Sequence, residues 1–299
     1  MSHPDIRIGT LAGRGAKTAE YIRQILPHGF ESFQINFHHR LPAEVTLKTL
    51  APEVRRVLDG AKTDAVISSL GVFGNMIEEK EVAQDLESCL DTAHLFGPSC
   101  KVVCCFAGCV TGKPLPESIK PWAEVFRPLV KKAEDKGLKI AFENCPMGGN
   151  WNRPNWNIAI NPAAWELMFN EINSAALGLC WEPAHQMHQL IDPIPQLRKW
   201  VAKIVHLHGK DASVNWDVIR ADGLSSGKRT SYDRTPGFGD TNWTDVFSIL
   251  RLGGFKGFLD IEGWHDPVYR GDLEMTGQLH ALNYLKRCRG GEFVTNPTV

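Results

Sequence analysis

Four segments in the second half of the chain each end an apolar run on a residue able to bind a metal. They are Lys-Ile-Ala-Phe-Glu143, Leu-Gly-Leu-Cys-Trp-Glu182, Lys-Ile-Val-His206-Leu-His208 and Gly-Phe-Leu-Asp260-Ile-Glu262. Side chains alternate between the two faces of a strand. Glu143 therefore shares a face with Ala141, Glu182 with Cys180, His208 with His206, and Glu262 with Asp260. Three carboxylates and an imidazole brought to one place would repel and raise their own pKa values unless a cation stood among them. Oxygen-rich ligation with a single imidazole suits Mn²⁺ first, with Mg²⁺, Co²⁺ or Fe²⁺ as alternatives, over a structural Zn²⁺.

Such residues need a scaffold that presents successive strand ends at one rim. Eight short apolar, β-branched runs are found, near Ile6–Ala12, Ser32–Phe37, Ala65–Phe73, Lys101–Ala107, Lys139–Cys145, Ala176–Glu182, Lys203–His208 and Gly257–Glu262. Each is followed by a stretch of helical period. Strands alternating with helices predict a parallel sheet, and eight units close a (β/α)8 TIM barrel. Val82, Leu86, Leu90 and Ala93 mark one such helix, and Trp122, Phe126, Leu129, Val130 and Ala133 another. Within the second, Pro128 predicts a kink, because an interior proline costs a helix about 3 kcal/mol. A last helix is expected over Asp272–Arg287. At 299 residues and 43% hydrophobic, the chain reads as one barrel domain over 1–299. Two insertions, Pro146–Asn161 after the fifth strand and Asp211–Thr241 after the seventh, would lie at the catalytic rim as lids or walls.

Composition excludes several classes of function. A formal charge of -1 argues against a nucleic-acid partner. No stretch approaches the roughly 18 apolar residues of a membrane span, and the start, Met1 to Arg7, lacks the basic-then-apolar pattern of a signal peptide. The eight cysteines sit mostly inside apolar runs, as expected of free thiols in a reducing cytoplasm.

The segments Phe-Glu143-Asn, Glu182-Pro-Ala-His185, His206-Leu-His208-Gly-Lys-Asp211, Pro236-Gly-Phe-Gly239-Asp-Thr-Asn-Trp243 and Ile-Glu262 resemble the xylose-isomerase-like barrels, specifically the sugar phosphate isomerase/epimerase family. The resemblance runs from about residue 139 to 287 and implies a metal held by Glu143, Glu182, His208 and Glu262. Glu182 departs from it, since the family more often has Asp there. His206 competes for the imidazole position; His208 lies nearer the rim and stands three residues before Asp211, as the motif has it. His206 and Asp260 would then pair one step deeper. The resemblance places His185 on substrate and implies a dimer or tetramer.

A divalent ion holding a carbonyl and its neighbouring hydroxyl acidifies the C–H between them. Glu143 and Glu262, from different strands, are the candidate acid and base, one removing a proton and the other returning it. That chemistry makes the expected enzyme an epimerase or isomerase of a ketose or keto-sugar. With a leaving group β to the carbon, the same chemistry gives a dehydratase or a lyase of a 3-keto-glycoside. Trp151, Trp156, Trp216 and Trp264 fall in or beside the rim loops, and Trp151 and Trp264 are the expected sugar-stacking pair. His185, His206 and Lys210 complete the expected substrate contacts. His188 reads as structural, and of His38 and His39 at most one would reach the site. An abasic-site nuclease would need further ligands where Val72-Phe73-Gly74 and Phe106-Ala107-Gly108 stand.

Overall fold

The computed structural model of the chain describes residues 3–298. Met1 and Ser2, which begin the segment read above for a leader, and Val299, which closes the expected domain, lie outside them. Eight strands form a closed parallel barrel: β1 (Ile6–Leu11), β2 (Ser32–His38), β3 (Val66–Phe73), β4 (Val102–Cys105), β5 (Lys139–Glu143), β6 (Leu177–Trp181), β7 (Ile204–Gly209) and β10 (Gly257–Ile261). Each expected strand is present to within a few residues. Neighbours in the barrel are neighbours in sequence, and β10 closes it between β7 and β1.

The period-two alternation is visible in what each face touches. Phe142 points outward and packs edge-on against Trp122 and Phe126 of α4 (Ile119–Lys136), with ring centroids 5.8 and 5.1 Å away. Its neighbour Glu143 points into the barrel mouth. Leu259 and Ile261 of β10 join the outer core while Asp260 faces the axis. The helix α4 runs through Pro128 as one element. It ends at Gly137, whose φ of 64° is a left-handed cap that a side chain would strain. The final helix, α10, spans Glu274–Cys288 after a short 3₁₀ turn.

The insertion after β5 stays irregular until α5 (Pro162–Glu171). The insertion after β7 is more ordered than its sequence suggests. It holds an antiparallel hairpin, β8 (Asp211–Val214) with β9 (Ser231–Arg234), and between them the short helix α8 (Trp216–Asp222). Four-residue strands carrying Asp and Arg leave too brief a pattern to read. Asp211 fixes the hairpin to α9 (Trp243–Leu252): its buried carboxylate accepts from the Thr241 hydroxyl at 2.6 Å and from Trp243 Nε1 at 2.9 Å. Among the described residues the cysteines are free thiols, all but Cys288 buried, and no helix is long and apolar enough to cross a membrane.

Candidate active site

Glu143 is the last residue of β5 and Glu182 the first beyond β6. One side chain holds both ends in place. Asn144 Oδ1 accepts the Glu182 backbone N–H and Asn144 Nδ2 donates to the Glu182 carbonyl, each at 2.9 Å. His208 lies within β7. Glu262 follows β10, with its N–H on the Gly209 carbonyl at 3.2 Å. One ligand atom from each of Glu143, Glu182, His208 and Glu262 lies within 4.8 Å of the others, and all four residues are buried. Glu182 joins the cluster despite its extra methylene.

Their donor atoms are largely uncommitted. Both carboxylate oxygens of Glu182, Glu262 Oε2 and His208 Nδ1 are buried without a hydrogen-bond partner. Leaving such atoms bare costs about 1–3 kcal/mol each, more for charged ones, so the set fits a cation well. On the far side of the His208 ring, Nε2 donates to Gln34 Oε1 at 2.8 Å. That bond keeps a proton on Nε2 and turns Nδ1, the nitrogen that would ligate a cation, toward Glu262 Oε2 (3.3 Å) and Glu143 Oε1 (3.7 Å).

The electrostatics reflect carboxylates crowded out of water. Burial pushes Glu182 up to about 8, against the pull of the Lys210 ammonium and with help from the Glu262 charge. Burial opposes ionisation of Glu262 too, but Lys210, His208 and His265 outweigh it and hold that carboxyl well below its ordinary value. Burial disfavours the charged forms of His208 and Lys210, yet the surrounding carboxylates raise both pKa values well above normal. Burial and the Lys210 charge together press His185 down to about 3, so it is neutral. Its Nε2 stands 2.5 Å from Glu182 Oε1 without hydrogen-bond alignment.

These residues open onto a cavity of about 1100 Å³ at the barrel mouth, lined by Glu143, His185, His208, Lys210, Glu262 and Trp264 among others. Both insertions wall it, through Pro146–Gly148 and through Lys228–Ser231 with Asp233. Phe73 and Phe106 stand at the ends of the third and fourth strands. Trp264 holds a left-handed φ of 56° at the cavity edge, a costly conformation for a bulky residue and one found often at functional sites.

Two expected substrate contacts lie elsewhere. His206 is wholly buried in the barrel interior, its Nε2 3.1 Å from Asp260 Oδ2, and it does not line the cavity. The even spacing that puts it on the inner face also puts it a layer below the rim. Asp260 in turn accepts from Ser32 and Ser68. Trp151 packs half-buried against the outer core, and its carbonyl accepts from Leu115 N at 2.8 Å; the loop turns that indole inward, away from the cavity. Trp156 stacks on His39 at 4.9 Å, and Trp216 is exposed beside Arg220. His38 lines the cavity while His39 turns to Glu79.

Sequence reasoning passed over Gln34, Asn144, Asp233 and His265, whose Nε2 lies 2.8 Å from Glu262 Oε1. A signal for the first was present. In Ser32-Phe-Gln34-Ile-Asn36-Phe-His38 every second residue is polar, and these face the barrel axis: Ser32 binds Asp260, Gln34 binds His208, and Asn36 and His38 line the cavity.

Known proteins share the fold and parts of the sequence. A model of the xylose isomerase-like TIM barrel matches residues 22–288. An inosose dehydratase of Clostridium perfringens is 24% identical over 173 residues, which cover 57% of this chain and 54% of that protein. The chain thus spans about half the length of the curated relatives it matches. The 3-keto-D-glucoside 4-epimerase of E. coli superposes with a TM-score of 0.69 at 16% identity, covering 95% of this chain and 100% of that one. A xylose isomerase-like protein of Mycobacterium smegmatis in complex with magnesium gives 0.66 at 16%, covering 95% and 98%. At these identities the structural likenesses show the fold alone.

Proposed function

The chain belongs to the xylose isomerase-like TIM barrel family, and from that premise we propose that it is a divalent-metal-dependent enzyme that removes a proton beside the carbonyl of a keto-sugar or related polyhydroxylated ketone. The observation that carries this reading is the convergence of Glu143, Glu182, His208 and Glu262 with four of their buried donor atoms unpartnered. These four would hold the ion, Mn²⁺ in the first instance. When bound, it would polarise the substrate carbonyl and favour the enolate.

The protein's own residues supply the rest. Glu143 and Glu262 reach the same space from strands on different sides of the mouth, so one carboxylate takes the α proton while the other serves the opposite face or the neighbouring carbon. Glu262 is ionised at neutral pH because Lys210 and His265 stabilise its charge. Neutral His185 offers a hydrogen bond to a substrate oxygen. Trp264 gives an apolar face to sugar C–H groups, while the phenylalanines of the third and fourth strands keep water from the reacting carbon. Return of the proton makes the enzyme an epimerase or isomerase.

Dehydration is the second reading, and the names of the curated relatives favour it: inosose dehydratases are the first of them. There the β-hydroxyl would leave as water, taking its proton from the carboxyl group that had removed the α proton. One experiment separates the outcomes. The Mn²⁺-loaded protein is incubated in D₂O with ketoses, 3-keto-glucosides and inososes and followed by NMR. Deuterium uptake or stereochemical change with every hydroxyl kept supports epimerisation or isomerisation, and loss of one hydroxyl with a new deoxy CHD carbon beside a second carbonyl, the tautomer of the first-formed enol, supports dehydration. Neither change with any ketone, from protein shown to bind the ion, would sink the proposal. Glu143→Gln and Glu262→Gln should each lower the rate by about 10²–10⁴-fold.

A further inference from the structure

The β8–β9 hairpin places one more charged group in the cavity. Asp233, on β9, lines the same space as Glu143 and Glu262. Its Oδ1 stands 3.9 Å from Lys210 Nζ, too far for a hydrogen bond between them. The gap matches a single hydroxyl: two bonds of about 2.8 Å meeting at roughly a right angle on one oxygen span about 4 Å. We propose that Lys210 and Asp233 bracket one hydroxyl of the substrate, with the ammonium donating to its oxygen and the carboxylate accepting its proton. His188 is the residue that positions Asp233. The proposal rests on the reading of this cavity as a site for polyhydroxylated ketones.

Both arms of the bracket are held from behind. Lys210 Nζ lies 3.3 Å from Glu262 Oε1, 3.4 Å from His185 Nε2 and 3.9 Å from Glu182 Oε1. It is 3% exposed, so its ammonium cannot swing out to solvent. Asp233 Oδ1 pairs with His188 Nε2 at 2.8 Å, and His188 Nδ1 bonds Ser231 Oγ at 2.7 Å. One imidazole thus uses both nitrogens on residues two apart, which share a face of a strand, and pins the hairpin to α6 (Ala184–His188), the helix that also carries His185. Asp233 Oδ1, the oxygen that faces Lys210, accepts from His188 through one lone pair and keeps the other for the hydroxyl.

The chemistry of the bracket states what it selects. A hydroxyl both donates and accepts, so it satisfies the pair. Fluorine can only accept, and hydrogen can do neither. Because Lys210 also touches Glu262, the bracketed hydroxyl must sit near the reacting carbon, within a bond or two of the carbonyl. The ligand class is a ketone with a free hydroxyl at that position in the ring.

The test is a binding cycle that does not depend on turnover. Binding of inosose and of its monodeoxy and monofluoro analogues to Mn²⁺-loaded protein is measured by calorimetry, for wild type, Asp233→Ala and His188→Asn. Hydrogen bonds to charged groups imply a loss of about 10–100-fold when one member is removed. Asp233→Ala should bind inosose that much more weakly, and one deoxy analogue should bind wild type equally weakly. That analogue should lose nothing further in Asp233→Ala. His188→Asn should weaken inosose in the same direction by less, with Mn²⁺ affinity unchanged in both variants. An equal penalty on every analogue, unaltered inosose affinity in Asp233→Ala, or no binding of any ketone would overturn the bracket. Coupling seen in binding without proton exchange in D₂O would uphold the bracket and sink the proposed reaction instead. Should Asp233→Ala fail to fold, Asp233→Asn carries the same cycle, since its amide keeps the shape but loses the charge.

Discussion

Replacing Glu182 by Gln should stabilise the metal-free protein at alkaline pH and weaken the metal-loaded one. Glu182 has no solvent exposure, and both its oxygens lack hydrogen-bond partners. Burial raises its pKa from 4.5 to about 8. The folded protein therefore holds a proton over a range where the unfolded chain has released it. Stability from this group is complete below about 4.5 and is lost as pH rises through about 8. Each pKa unit is worth about 1.4 kcal/mol, which caps the loss at about 5 kcal/mol, and coupling to Lys210 and Glu262 shares it among several groups. Wild type without metal should thus lose about 2–3 kcal/mol more than Glu182→Gln between pH 5 and pH 8.5. An ion at a hundred times its Kd returns about 2.7 kcal/mol to wild type, while the Gln variant, short of an anionic ligand, recovers less. Urea denaturation at the two pH values, with EDTA and then with Mn²⁺, reads all four states. Asp211, which burial raises to about 6, titrates in both proteins and cancels in the comparison. Parallel pH profiles for the two metal-free proteins, or equal stabilisation of both by Mn²⁺, would refute the reasoning.

Other expectations follow from single contacts. Gln34→Leu removes the acceptor that fixes the His208 tautomer, and calorimetry should show Mn²⁺ affinity lower by about 10–100-fold; a change below threefold would mean that the ring is oriented by packing alone. Asp211→Ala strips partners from Thr241 and the buried Trp243 indole, so thermal and urea denaturation should show a loss of about 2–4 kcal/mol. Trp264→Ala should weaken ketone binding severalfold while Trp151→Phe leaves it unchanged, and the reverse order in a calorimetric titration would reinstate Trp151 as the stacking face.

What the chain discloses depends on how local the signal is. Strands such as Leu-Gly-Leu-Cys-Trp are buried on both faces and read as short apolar runs, so the barrel and the convergence of Glu143, Glu182, His208 and Glu262 at its rim were legible without coordinates. Alternation also assigned His206 to the correct face, but face is not depth. A strand rises about 3.3 Å per residue, so His206, two residues before His208, sits a full layer lower, where it meets Asp260 and no ligand can reach it. Trp151 lies off the cavity lining for a different reason: no periodicity constrains an irregular loop, and the direction of an indole there depends on distant packing. Contacts such as Asp233 with Lys210, or Asn144 with the Glu182 backbone, join segments 23 to 38 residues apart, and only the β8–β9 hairpin and the pairing of β5 with β6 bring them together. The polar alternation of β2 marks the intermediate case. Its pattern is local, yet its meaning required knowing that Gln34 faces a histidine 174 residues away. In a barrel of this kind, polar residues on the inward face of a strand without candidate ligands of its own are therefore the place to search for the partners that orient candidate ligands on the opposite side.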